Sequence, residues 1–153
     1  MNLDRWRSRS PLLADLADDH VAFLASVAVE EVLPPDETVF KVNSPADRFY
    51  LIDSGGIALR IAGPSKPPIT IQTVGEGALL GLSWRLPPYR WQWTAQTLTD
   101  TALIRFDANA VLSACEADPT LDNALLRVVA RESSQRLQNV RLQLLDMYGR
   151  QRP

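Results

Sequence analysis

The chain has 153 residues, of which 46% are hydrophobic and 22% charged, a composition typical of a soluble globular domain. Its net charge of −2 gives no global positive field that would attract nucleic acid. No run of about eighteen apolar residues predicts a membrane span, and the N-terminus lacks the apolar region of a signal peptide. We therefore expect one domain over residues 10–148, located in the cytoplasm and without membrane contact.

Residues 1–26 are predicted to form an N-terminal arm and two short helices. Ser10 followed by Pro11 predicts the start of the first helix, with the serine as N-cap and the proline at the first helical position. The second helix is expected over residues 19–25, where Val21, Phe23 and Leu24 face inward.

Residues 27–107 change from a helical hydrophobic period to the two-residue period of β-strands. Short strands, each ended by turn residues, are predicted over 27–33, 38–42, 49–53, 57–61, 69–74, 91–97 and 101–106. Their spacing of about ten residues, without crossover helices, predicts an antiparallel β-roll or jelly roll. The expected fold class is mainly β with α.

Residues 108–148 are predicted to be helical, followed by a tail over 149–153. Asp107 is a favourable N-cap for a helix over 108–117, and Asp118-Pro119 predicts a longer helix that ends near Met147. Leu121, Leu125 and Val128 are expected to pack on the roll.

A second stripe on the long helix repeats at steps of three and four, which predicts a heptad seam for a homodimer. We call this stripe the heptad seam; it consists of Leu126, Ala130, Ser133, Leu137, Val140, Leu144 and Met147. The alternative is that the helix packs wholly on its own domain.

The stretch 75–95 combines glycine turns, adjacent prolines, two arginines and the aromatic residues Trp84, Tyr89, Trp91 and Trp93. This composition predicts a structured loop. Two roles stay open for the aromatic residues: a box that stacks on a ligand, or packing that pins the loop to the core.

The sequence contains few residues that could form a catalytic or metal-binding site. The single histidine, His20, cannot supply the several imidazole ligands of a cupin-type metal site, and nucleophilic catalysis would also need it. The one cysteine, Cys115, excludes an internal disulfide and is expected to be a plain buried thiol. We expect no catalytic residue, no metal and no enzymatic activity.

Three short motifs occur in a fixed order along the chain: the turn at 43–47 with the strand Phe49-Tyr50-Leu51-Ile52, the hairpin Ser54-Gly55-Gly56, and the segment from Gly75 to Gly81. Their order resembles that of the cyclic-nucleotide-binding domain of the Crp/Fnr regulator family. The succession of short helices, a roll of about eight strands and a long terminal helix is similar as well.

The resemblance implies a phosphate-binding cassette whose functional residues have changed. Where family members carry a glutamate that holds a ribose hydroxyl, this chain has Leu82, and where they carry a phosphate-clamping arginine it has Trp93. Cyclic nucleotide is therefore not the expected cofactor. A small anion would contact the following residues: Gly81, Leu82, Ser83, Arg85, Arg90, Trp93 and Thr94.

The resemblance also implies a non-catalytic sensory or regulatory domain with a degenerate cassette, which signals through a partner protein. The alternative is a ligand-free module for dimerisation or protein interaction. In the family, a helix-turn-helix domain that reads DNA follows the long helix. The sequence ends a few residues after that helix, so we expect no direct DNA binding.

Overall fold

The computed structural model describes residues 4–62 and 67–150. Its helices are α1 Asp4–Arg7, α2 Pro11–Ala14, α3 Asp18–Ser26, α4 Ala108–Ala117 and α5 Pro119–Arg150, with a single 3-10 turn at Leu82–Arg85. Its strands are β1 Ala28–Leu33, β2 Thr38–Phe40, β3 Arg48–Ser54, β4 Gly56–Ile61, β5 Ile69–Gly75, β6 Leu79–Leu80, β7 Thr94–Thr97 and β8 Thr101–Asp107. The predicted start of the arm at 1–3 and the end of the tail at 151–153 lie outside the described residues.

The strands form two four-stranded antiparallel sheets, ordered β1-β8-β3-β6 and β2-β7-β4-β5. This arrangement confirms the predicted antiparallel β-roll and the fold class of mainly β with α. Side chains from both sheets meet in one core. Within it Phe49 stacks on Trp84 with ring centroids 4.6 Å apart and on Phe106 at 4.9 Å, so the 3-10 turn is fixed directly to β3 and, through Phe49, to β8.

Helix α5 packs on the roll up to about Val140 and extends beyond it into solvent. Leu121, Leu125 and Val128 are buried, as the apolar stripe predicts. All side chains at 141–149 are exposed, although the helix continues through Gly149. Its 32 residues make it about 48 Å long, at roughly 1.5 Å per residue. Within the described ranges, no helix is both long and apolar enough to cross a bilayer.

Two local expectations differ from the structure. The Ser10 hydroxyl does not cap α2 but donates to the carbonyl of Gly77 at 2.8 Å, which ties the N-terminal segment to the roll. Strand β7 begins at Thr94 rather than at Trp91. The reason is that the Trp91 backbone bonds to the turn at Asn43 and Ser44, while its indole stacks on a core phenylalanine.

Candidate ligand-binding site

A cavity of about 330 Å³ lies between the second sheet, the turn after β6 and the middle of α5. Cavities of this size suit a small organic ligand. Its walls come from separate parts of the chain, which the fold brings together: Phe40, Leu59, Gln72, Leu80, Gly81, Leu82, Ser83, Leu86, Trp91, Gln92, Trp93, Ser133, Arg136, Leu137 and Val140.

Gly81 sets the shape of the turn that follows β6. Its φ is 87°, in the left-handed region that residues other than glycine rarely adopt. A Cβ atom here would lie 2.7 Å from the indole ring of Trp91. The close approach of Gly81 to Trp91 therefore requires glycine, and it places Leu82 and Ser83 in the cavity wall.

Four of the predicted ligand residues, Gly81, Leu82, Ser83 and Trp93, line the cavity. The structure places the other three elsewhere, with partners of their own. Arg85 pairs with Asp122 of α5 at 2.7 Å, and the Arg90 guanidinium donates to the Asn43 carbonyl at 2.7 Å. The Thr94 hydroxyl accepts from the backbone N–H of Val42 at 3.1 Å. Among the residues that the structure describes, these three do not line the cavity.

The aromatic residues of the 75–95 stretch divide between the two roles that the sequence leaves open. Trp84 and Trp91 are buried and stacked on core phenylalanines, so they pin the loop. Trp93 is only half-buried and lines the cavity, whereas Tyr89 is exposed. Trp93 is thus an aromatic surface on which a ligand can stack.

Arg136 of α5 is a cavity residue that the sequence analysis missed. Its side chain is only 13% exposed. The Nη2 group donates to the backbone carbonyl of Leu79 and to Glu132 Oε1 at 3.2 Å, while the buried Nε has no acceptor. Burial lowers the pKa of the guanidinium, and Glu132 opposes that effect. The sequence signal was its helical spacing, because Arg136 lies three residues after Ser133 and four before Val140.

The middle of the heptad seam forms part of the same wall. Ser133, Leu137 and Val140 line the cavity, and the side chains of Leu126, Leu144 and Met147 are exposed to solvent. The residues of the seam are therefore divided between two surfaces, the cavity wall and the open face of α5.

A second cluster joins Asp19, His20 and Asp118, whose possible ligand atoms all lie within 4.8 Å of one another. Two carboxylates and an imidazole are plausible ligands for a transition metal. Local contacts account for two of these side chains, however. His20 Nε2 lies 3.2 Å from the Thr120 hydroxyl, and Asp118 accepts from Thr120 and Leu121 at the start of α5. The hydrogen bond from the Thr120 side chain is the largest of the effects that lower the pKa of Asp118.

Residues 30–118, more than half of the chain, match the model of the cyclic nucleotide-binding domain. The chain belongs to this family. Structural comparison agrees, since a putative cyclic nucleotide-binding protein from Geobacter metallireducens superposes with a TM-score of 0.81. That protein is 25% identical, and the match covers 90% of this chain and 98% of the other. The predicted resemblance is thus confirmed.

Two relatives of this chain are proteins of different kinds. The chain is 26% identical over 121 residues to an uncharacterized NTE family protein of Mycobacterium tuberculosis, and the match covers 79% of this chain and 20% of the relative. It is 25% identical over 129 residues to a CRP-like cAMP-activated global transcriptional regulator of the same species, covering 84% and 58%. The chain thus spans only part of the length of each relative. Family membership favours a non-enzymatic regulatory or sensory role for this cyclic nucleotide-binding domain.

Proposed function

We propose that this domain is a non-catalytic sensor that binds a small ligand in the cavity and transmits its presence through α5 to a partner protein. The observation that carries the proposal is that α5 forms one wall of the cavity and is bonded to β6 of the roll, beside the cavity, through the hydrogen bond from Arg136 to the Leu79 carbonyl. A ligand that displaces either wall changes the position of α5 relative to the roll.

Cyclic AMP is not the ligand that we expect at ordinary affinity. Leu82 and Trp93 present apolar surface where family members hold the ribose and the phosphate. Loss of a buried charge-assisted pair costs about 2 to 5 kcal/mol. Arg85 and Arg90 are engaged by Asp122 and Asn43, so neither supplies the missing guanidinium in this conformation. The cassette is therefore degenerate for cyclic nucleotides.

A paired substitution on α5 tests for a ligand. Ser133→Trp, which fills the cavity, is expected to abolish ligand-dependent changes in tryptophan fluorescence and in amide exchange of residues 79–85 and 133–140. Ser134→Trp is the matched control, because Ser134 is exposed and does not line the cavity. The screen includes cyclic AMP, cyclic GMP, other nucleotides, and charged and neutral small molecules. If no compound changes fluorescence or exchange in the wild type, the sensor proposal is wrong.

The competing function is a ligand-free module for dimerisation or protein interaction, and the exposed apolar residues of the heptad seam favour it. Dimerisation is also compatible with a sensor, so we include a homodimer through α5 in the proposal.

The partner protein, a cytoplasmic location and the lack of direct DNA binding remain predictions. The single, buried Cys115 is consistent with a reducing compartment.

Sedimentation of two leucine variants tests the homodimer. Leu137 lies on the heptad seam and is 64% exposed in the single chain, and Leu142 lies off the seam and is 65% exposed. We expect a wild-type dimer at tens of micromolar protein, and we expect Leu137→Asp to be monomeric because a buried carboxylate at the seam has no partner. Leu142→Asp should stay dimeric. A monomeric wild type would show that the seam does not pair.

A further inference from the structure

We propose that the cavity binds a small organic monoanion with an apolar body, an aliphatic or aryl carboxylate, and that Arg136 of α5 is its anion partner. This inference rests on the proposed function, because it requires that the cavity binds a ligand at all. It adds the chemical class of that ligand and the residue that recognises its charge.

The charge of the cavity wall is the first argument. Arg136 is the only charged residue among the described residues that line the cavity. Four others are polar but neutral, namely Gln72, Ser83, Gln92 and Ser133, and the rest are apolar apart from Gly81. Glu132 pairs with the Nη2 group of Arg136 from outside this wall, so the wall itself presents one cation and no anion, which favours a ligand with one negative charge. The apolar remainder of the wall favours an apolar body.

The unsatisfied donor of Arg136 is the second argument. Buried N–H groups are nearly always hydrogen-bonded, and one without an acceptor destabilises the folded state. Glu132 and the Leu79 carbonyl engage Nη2 but leave Nε without a partner. A carboxylate offers two acceptor oxygens in the plane that a guanidinium prefers. A carboxylate in the cavity that reaches this edge of the guanidinium would satisfy a donor that the protein itself leaves unpaired.

The position of Arg136 is the third argument. Trp93 and Leu82 form an apolar surface on the roll side, where the polar lining side chains, those of Gln72, Ser83 and Gln92, are neutral. A second charged group placed there would therefore be desolvated without a charged partner. The anion must instead face α5, with the apolar part of the ligand against the indole of Trp93. This orientation accommodates a single terminal charge and disfavours a cyclic nucleotide.

Calorimetry with matched acids and alcohols tests the ligand class. The probes are octanoate and 3-phenylpropionate, each compared with its neutral counterpart, 1-octanol or 3-phenylpropan-1-ol, and with cyclic AMP. We expect saturable binding of both acids to the wild type, at least about thirty-fold tighter than the alcohols, from the loss of one charge-assisted pair. Arg136→Gln should abolish the difference between acid and alcohol. Arg141→Gln should keep it, because Arg141 is exposed on the same helix and lies outside the cavity wall.

The comparison of acid with alcohol in the wild type needs no substitution, so it stands even if Arg136→Gln fails to fold. Equal affinities for acid and alcohol, tighter binding of cyclic AMP, or no binding of either acid would each overturn the carboxylate assignment. If another compound of the wider screen still binds and Ser133→Trp still blocks it, the sensor function stands without this assignment. If no compound binds, both the sensor function and the carboxylate assignment are wrong.

Discussion

The double substitution Trp93→Arg and Leu82→Glu is expected to raise the affinity for cyclic AMP by tens- to thousands-fold. These changes place a guanidinium and a carboxylate at the positions that the proposed function assigns to the cyclic phosphate and the ribose hydroxyl. A buried charge-assisted pair contributes about 2 to 5 kcal/mol, which sets the size of the effect. Both positions already line the cavity, so the new side chains face the ligand without a change in the backbone. Calorimetry with cyclic AMP measures the gain.

Gln92→Arg combined with Leu82→Glu is the matched control for this gain. Gln92 also lines the cavity, so the variant has the same net charge with the guanidinium one residue away. It should bind cyclic AMP much more weakly than the variant with arginine at position 93, because it keeps the carboxylate for the ribose but has no guanidinium placed at the phosphate. Equal gains in both double variants would mean that added positive charge, rather than its position, determines the affinity.

Gly55→Ala is expected to reduce the free energy of unfolding by about 3 kcal/mol or more. The φ of Gly55 is 94°, and an added Cβ would lie 2.5 Å from the Asp100 carbonyl oxygen and 2.8 Å from the Thr101 Cα. Strained dihedral angles and overpacking each cost on the order of 1 to 3 kcal/mol. For a domain of this size the melting temperature should fall by roughly 6 to 12 °C, measured by calorimetric or circular-dichroism melting.

Alanine at Gly149, in contrast, should not lower the free energy of unfolding. Gly149 lies in the last turn of α5 with nothing within 4 Å of its hypothetical Cβ. Alanine is the better helix former, by about 1 kcal/mol in a helix interior and less near an end. Gly149→Ala should therefore leave the melting temperature unchanged or slightly higher. A Gly55→Ala protein as stable as the wild type would show that the β3–β4 hairpin relaxes around the new methyl group.

The order and type of the elements could be predicted because each rests on a local signal. The turn residues before β3, the hairpin at Gly55 and the cap at Asp107 all lie where the sequence indicates, and Asp107 accepts from the N–H of Ala110. Boundaries were less certain where a distant contact decides them. Trp91 has the pattern of a strand residue but its indole packs into the core, so β7 begins three residues later, at Thr94.

The candidate site was only half predictable, for a related reason. Gly81 and Trp93 could be predicted from the motif order, and both line the cavity. Arg136 lies far along the sequence, on a helix where Arg127, Arg131 and Arg141 are exposed, and only the packing of α5 against β6 brings it to the cavity. Arg85 and Arg90 have the more suggestive sequence position, but partners outside the 75–95 stretch, the Asp122 carboxylate and the Asn43 backbone carbonyl, hold them elsewhere.

Ser133, Leu137 and Val140 belong at once to the heptad seam and to the cavity wall. If α5 pairs with a second copy, association and ligand occupancy are linked equilibria that use the same side chains. A ligand that strengthens pairing by some factor is then bound more tightly by that same factor in the paired state. The apparent dissociation constant would change with protein concentration, so such a sensor would respond to its own abundance as well as to its ligand.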